Sequence, residues 1–180
     1  MANKLNTDVI TTNTTIAFKP FVINLKGTLE ILITAYKNPV IKANPKIYMG
    51  YSDSTVTHLI CHKAGFTSFY GPSILAEFAE NNKMFDYTKY WVEKALFSPA
   101  PLGVIEPCKG YTDDYVPWTE GTQHIDKKMK TNKGYELLQG SGVVQGRLIG
   151  GCLDVWEFVK GTDLFPAKEY FDDAILFFEE

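Results

Sequence analysis

With 180 residues, 45% of them hydrophobic and 22% charged, the chain has the size and composition of a globular domain, or of one domain plus part of another. Its net charge of −3, with Lys and Arg scattered, argues against nucleic acid as the main partner. The start, MANKLNTDVITTNTT, lacks the apolar core of a secretory signal, and no run approaches the ~18 apolar residues of a membrane helix. A soluble, cytoplasmic protein with no membrane partner is therefore expected.

Residues 1–15 are polar and rich in Thr and Asn. Ile16 to Leu25 is apolar, but Pro20 demotes it from a central strand. Lys26-Gly27-Thr28 reads as a turn into a helix over Leu29 to Tyr36, stopped by Lys37-Asn38-Pro39. The stretch Lys46 to Pro72 predicts strand, turn, helix, strand and turn. Lys46 to Met49 ends at Gly50, Ser52 or Asp53 caps a helix over Thr55 to Lys63, Gly65 ends it, and Phe66 to Tyr70 is a strand closed by Gly71-Pro72. Such a unit builds parallel α/β sheets, whose ligand crevice lies beyond the C-terminal ends of the strands. GYSDST is thus the first place to look for a site.

Ser73 caps a further helix from Ile74 to Glu80, and Asn81-Asn82-Lys83 breaks it. A second helix covers Tyr87 to Phe97, with Tyr90, Trp91, Ala95 and Leu96 on its apolar side. Residues 104–134 carry turn chemistry and charge and read as a long, strand-edged excursion. Tyr135 to Leu138 and Val143 to Ile149 are expected strands, Gly150-Gly151 turns into a helix over Leu153 to Val159, and Ala174 to Phe178 is a buried strand. Because a buried strand seldom closes a domain without a covering helix, the chain reads as cut off in mid-fold.

Four groups of residues carry candidate chemistry. Ser52 and Asp53 follow a strand and offer a ligand-binding hydroxyl; a helix cap with a structural aspartate is the commoner use of such residues. Gly71, Gly150 and Gly151 are positions where a ligand can approach the backbone, although a tight packing turn explains paired glycines equally well. Glu179 ends an apolar strand, where a carboxylate could orient a histidine or simply be solvated. His58 and His62 have the i,i+4 spacing of metal ligands but no HExxH glutamate and no third ligand, so both are expected on the outer side of a crossover helix. Cys61, Cys108 and Cys152 lie far apart without a CxxC pair, which fits free thiols rather than a disulfide framework or zinc site.

In combination, NPKIYMGYSDST, GFTSFYGP, VQGRLIGGCLDVWEFVKGT and AILFFEE resemble the S66 serine peptidases, the LD-carboxypeptidases and related microcin C immunity proteins. The likeness runs from about Ile31 to Glu180 and includes the excursion near Trp118. It implies a parallel-sheet α/β domain holding a nucleophilic serine (residues 1–100), an excursion (101–134), and the beginning of a smaller C-terminal domain (135–180). It further implies hydrolysis of the terminal D-alanine peptide bond of a muropeptide, or of an aminoacyl or peptidyl nucleotide, with no metal, no cofactor and often a homodimer.

By the same resemblance the catalytic glutamate falls on Glu179. Thr28 stands at the nucleophile's place, where the family has a Gly-Gly-x-x-Ser turn, and the histidine belongs to a segment that would follow Glu180. The lost glycines and the extra methyl of Thr28 disturb an elbow shaped for serine. The chain alone is therefore expected to lack peptidase activity, and the irregular start reads as replaced sequence. The alternative is a non-catalytic remnant or binding module of the same fold.

Overall fold

The computed structural model describes residues 39–180. In chain order they form α1 (Pro39–Ala43), β1 (Met49–Gly50), α2 (Thr55–Ala64), β2 (Phe69–Tyr70), α3 (Asp86–Phe97), β3 (Gly110–Tyr111), β4 (Lys130–Thr131), β5 (Arg147–Cys152), α4 (Leu153–Val159) and β6 (Ala174–Glu179). Pairs β1–β2 and β5–β6 are parallel, and β3–β4 is antiparallel. The described residues divide into two compact units. One joins the residues up to Gly71 with Val144–Glu180, and the other is Pro72–Val143. Thr28, the strand expected over Ile16 to Leu25 and the helix expected over Leu29 to Tyr36 lie outside the described residues.

The first unit repeats one device twice: a strand, a helix and a parallel return strand. In β1–α2–β2, Met49 faces Phe69 and Gly50 faces Tyr70. Gly65 ends α2 in the left-handed region (φ +85°), and the amides of Gly65 and Phe66 return to the carbonyls of His62 and Cys61. These two bonds satisfy carbonyls that a helix end otherwise leaves open. In β5–α4–β6 the register runs from Arg147 opposite Ala174 to Cys152 opposite Glu179.

The two devices share a core. Leu59 and Ile60 of α2 pack with Ile149 and Cys152 of β5, Val155, Trp156 and Val159 of α4, and Leu164 beyond it. Trp156 sits edge-on to Phe165, Phe171 and Phe178 at centroid distances of 5.4, 6.0 and 5.7 Å. Non-local burial of this kind holds the early segment against the late one.

Three expectations for this unit need correction. Neither Ser52 nor Asp53 caps α2: residues Ser52–Ser54 form a 3-10 turn, the residue before the helix is Ser54, and no side chain caps it. His58 faces inward, 8% exposed, with Nδ1 2.7 Å from Ser68 Oγ and Nε2 2.9 Å from the Gly50 carbonyl. A carbonyl only accepts, so Nε2 carries the proton and Nδ1 accepts from Ser68. Burial lowers the pKa of His58, which agrees with a neutral ring. The glycines Gly150 and Gly151 lie within β5 rather than in a turn after it.

The second unit has a different make-up. Val92 of α3 is its one buried hydrophobic residue among the described residues, and Tyr90, expected on the apolar side, is 54% exposed. Polar ties hold the excursion. Lys127 Nζ lies 2.9 Å from Glu80 Oε2 with both side chains largely buried, and Asn81 Nδ2 donates to the Thr122 carbonyl at 2.9 Å. Asn82, with φ +62°, donates its amide to the Gln123 carbonyl. Ser73 accepts from the Ala76 amide, as expected of a cap, over a π-helical turn at Ile74–Phe78.

The strand expected over Tyr135 to Leu138 does not form, and the one at Val143 to Ile149 begins only at Arg147. Leu137, Leu138, Val143 and Val144 are all more than 75% exposed. Without a neighbouring strand to complete a ladder, apolar residues do not make a strand. No helix among the described residues is long and apolar enough to cross a membrane.

Candidate active site

Three C-terminal strand ends meet in the first unit: Gly50 on β1, Tyr70 on β2 and Glu179 on β6. The 3-10 turn after β1 carries Ser52 at φ +56°. This backbone conformation costs a non-glycine residue of order 1–3 kcal/mol, so surrounding contacts must impose it. They are visible. The Ser52 amide donates to Tyr70 Oη at 2.8 Å and to Glu179 Oε1 at 3.1 Å. Tyr70 Oη in turn donates to the same Glu179 oxygen at 2.5 Å.

Thr55, fully buried, braces the turn from below. Its hydroxyl donates to the Ser52 carbonyl at 2.7 Å and accepts the Cys152 amide at 3.0 Å. Residues 52, 55, 70, 152 and 179 are thus tied together across long sequence separations. Burial, and then the hydrogen bond to Glu179, push the Tyr70 phenol up to about 12. It stays a donor at every physiological pH, which suits it to hold a carboxylate.

The expected glycines have distinct places. A side chain at Gly150 would collide with the Phe177 carbonyl of β6, and one at Gly151 (φ +136°) would come within 2.6 Å of the Thr55 side chain. Both let strands and the turn approach closely. Gly71 follows Tyr70, gives its amide to the Gly50 carbonyl at 3.0 Å, and has open space where a side chain would be. Asp53 is exposed. Of the sequence candidates, the structure brings Ser52 and Glu179 into contact and sets Gly71 and Gly151 beside their partners Tyr70 and Thr55.

Thr55 lies within GYSDST, whereas Tyr70 lies outside the stretches that the sequence marks as a site. The position of Tyr70, last in a predicted parallel strand and just before Gly71-Pro72, was the available signal, since strand ends line the crevice of such sheets.

Family models match at both ends of this arrangement. Residues 26–71 match the N-terminal domain of LD-carboxypeptidase, peptidase family S66, and residues 145–180 match its C-terminal domain. Both ends of the chain thus match the S66 peptidase family, one in each of its two domains. These matched segments are the ones that hold GYSDST and Glu179.

The chain is 32% identical over 140 residues to the microcin C7 self-immunity protein MccF of Escherichia coli, covering 77% of this chain and 40% of that protein. It spans less than half the length of the curated S66 relatives it matches. Among solved structures, an MccF-like protein from Streptococcus pneumoniae in complex with AMP superposes with a TM-score of 0.72 at 26% identity, over 84% of this chain and 48% of that one. MccF in complex with glutamyl sulfamoyl guanosine gives 0.69 at 30% identity, over 84% and 44%. The expected α/β fold of the S66 family is thereby the fold observed.

Proposed function

We propose that the chain supplies the acid arm and part of the cleft of an S66-type serine hydrolase that cleaves an amide bond in a small aminoacyl or peptidyl compound. The observation that carries this reading is Glu179, fixed at a strand end by Tyr70 and the Ser52 amide beside the GYSDST turn. In a serine-type relay the acid holds an imidazole in the right tautomer. The imidazole takes the hydroxyl proton during attack and returns it to the leaving amine as the C–N bond breaks. The solved relatives bound to AMP and to glutamyl sulfamoyl guanosine favour an aminoacyl or peptidyl nucleotide as the substrate class, with a muropeptide as the other family substrate. A cytoplasmic, metal-free homodimer is part of the same proposal, as are the boundaries at residues 100 and 134.

Turnover by the 180-residue polypeptide alone is expected to be absent. By the resemblance Thr28 stands at the nucleophile's place, and neither described histidine of this unit bonds Glu179: His58 bonds Ser68 and Gly50, and the His62 ring packs edge-on to Tyr170 at 4.5 Å. The altered segment Lys26-Gly27-Thr28 also favours a second reading, a binding module that keeps the cleft without the chemistry.

Calorimetric titration of the purified chain with AMP, aspartyl sulfamoyl adenosine and a muropeptide tetrapeptide tests both, followed by mass spectrometry of each mixture. Saturable binding of one ligand without cleavage is the expected result. Release of D-alanine or of the free amino acid overturns the expected inactivity, and absence of binding to all three sinks the hydrolase and binding-module readings together.

A further inference from the structure

We propose that Tyr70 is a positioning residue for Glu179: together with the Ser52 amide it clamps Oε1, so that Oε2 alone is presented to an N–H donor of the imidazole class. The inference rests on the reading of Glu179 as the acid of a relay, and it adds residues that the reading does not require.

A glutamate at a strand tip has three rotatable side-chain bonds, and left alone it samples many orientations. Here two donors converge on one oxygen, Tyr70 Oη at 2.5 Å and the Ser52 amide at 3.1 Å, while Oε2 takes no hydrogen bond among the described residues. Binding both donors at Oε1 fixes the plane of the carboxylate as well as its position.

The phenol is in turn held at both ends. Its ring lies 5.2 Å from Phe177, edge-on, and 5.1 Å from the buried His58 ring, and its oxygen accepts the Ser52 amide at 2.8 Å. A phenylalanine would make the same ring contacts, so the hydroxyl is there for its polar bonds. Thr55 completes the support, since its hydroxyl holds the Ser52 carbonyl and so restrains the turn that carries the Ser52 amide. The raised pKa of the phenol agrees with a proton committed to the carboxylate. Fixed donors on one oxygen of a relay acid leave the other oxygen as its single open acceptor, which is what such an acid needs.

The test uses the 180-residue chain and does not depend on turnover. In wild type, proton NMR should show a downfield, slowly exchanging Tyr70 hydroxyl that is lost in Tyr70→Phe and moves upfield in Glu179→Gln. With side-chain carbon-13 glutamate and free imidazole as the probe, the Glu179 carboxyl signal should respond to imidazole in wild type. About tenfold more imidazole should be needed for the same response in Tyr70→Phe, the scale of one charge-assisted hydrogen bond. Near-UV circular dichroism checks that Tyr70→Phe remains folded; if it does not, the shift of the hydroxyl signal in Glu179→Gln decides. Absence of the downfield hydroxyl, or an imidazole response unchanged in folded Tyr70→Phe, overturns the proposal. Failure of the proposed function would show instead as absent nucleotide and muropeptide binding with the hydroxyl signal intact.

Discussion

The two units are held by different chemistry. In the first, helices α2 and α4 bury aliphatic residues around Trp156 and three phenylalanines, and the polar ties of the Ser52 turn lie above that core. In the second, Val92 is the one buried hydrophobic residue among those described, and the excursion hangs on the Lys127–Glu80 pair and the Asn81 and Asn82 amides. Apolar burial is non-directional and tolerates small shifts, whereas buried polar ties fail outright when one partner is lost. The contrast teaches that the first unit is built to keep strand ends in register, and the second to hold a loop in one shape.

The join between the two segments of the first unit is most sensitive at Trp156. Trp156→Ala should cost about 3–5 kcal/mol and flatten the near-UV spectrum of the first unit, measured by urea unfolding. A loss below about 1 kcal/mol would mean the aromatic cluster is not what joins the two segments. Next is Lys127→Ala, which strands the Glu80 carboxylate in a buried place and should cost about 3 kcal/mol, with faster proteolysis within residues 104–134. Lys127→Met, which keeps the length of the stem, should be as destabilising; a neutral result would show that the pair is solvated.

The smallest expected effect is the pH response of His58. Its folded pKa lies below the ordinary 6.5 because of burial, so in acid the unfolded chain binds a proton that the folded chain refuses. Stability should be fully present above pH 6.5 and fall as pH drops below it. His62, lowered by burial and then by Lys63 and Arg147, adds in the same direction. Urea midpoints measured from pH 7.5 to 5 should therefore decline, and His58→Gln should flatten the decline; an unchanged slope in that variant would remove His58 as its source.

Much of the first unit was legible because its signals are local. The helix expected over Thr55 to Lys63 with its stop at Gly65, the helix over Leu153 to Val159, and the strand over Ala174 to Phe178 all form within a residue of expectation. The family likeness, carried by GYSDST and AILFFEE, also pointed to Glu179. What was not legible depends on tertiary contacts, some of them between residues far apart in the chain. Tyr70 and Glu179 are 109 residues apart, so no window of sequence contains their bond. The expectation of His58 on the outer side of its helix fails because its partners, Gly50 and Ser68, come from the flanking strand ends. The apolar run over Tyr135 to Leu138 read as a strand, yet strand propensity has no effect where no neighbouring strand completes the ladder.

The first unit is discontinuous, and this has a consequence for how the protein comes into being. Helix α2 is made early, but the residues that cover its apolar side, on β5 and α4, follow only after the 72–143 segment has been translated. At roughly 5–20 residues per second, Leu59 and Ile60 wait on the order of ten seconds for Ile149 and Trp156. During that interval the nascent chain presents an uncovered greasy helix to the ribosome exit and its attendant chaperones. Lengthening the intervening segment would prolong the wait but hardly alter the finished fold, since each doubling of a closed loop costs only about 0.6 kcal/mol. The excursion is therefore cheap to vary once the protein is made and risky to vary while it is being made.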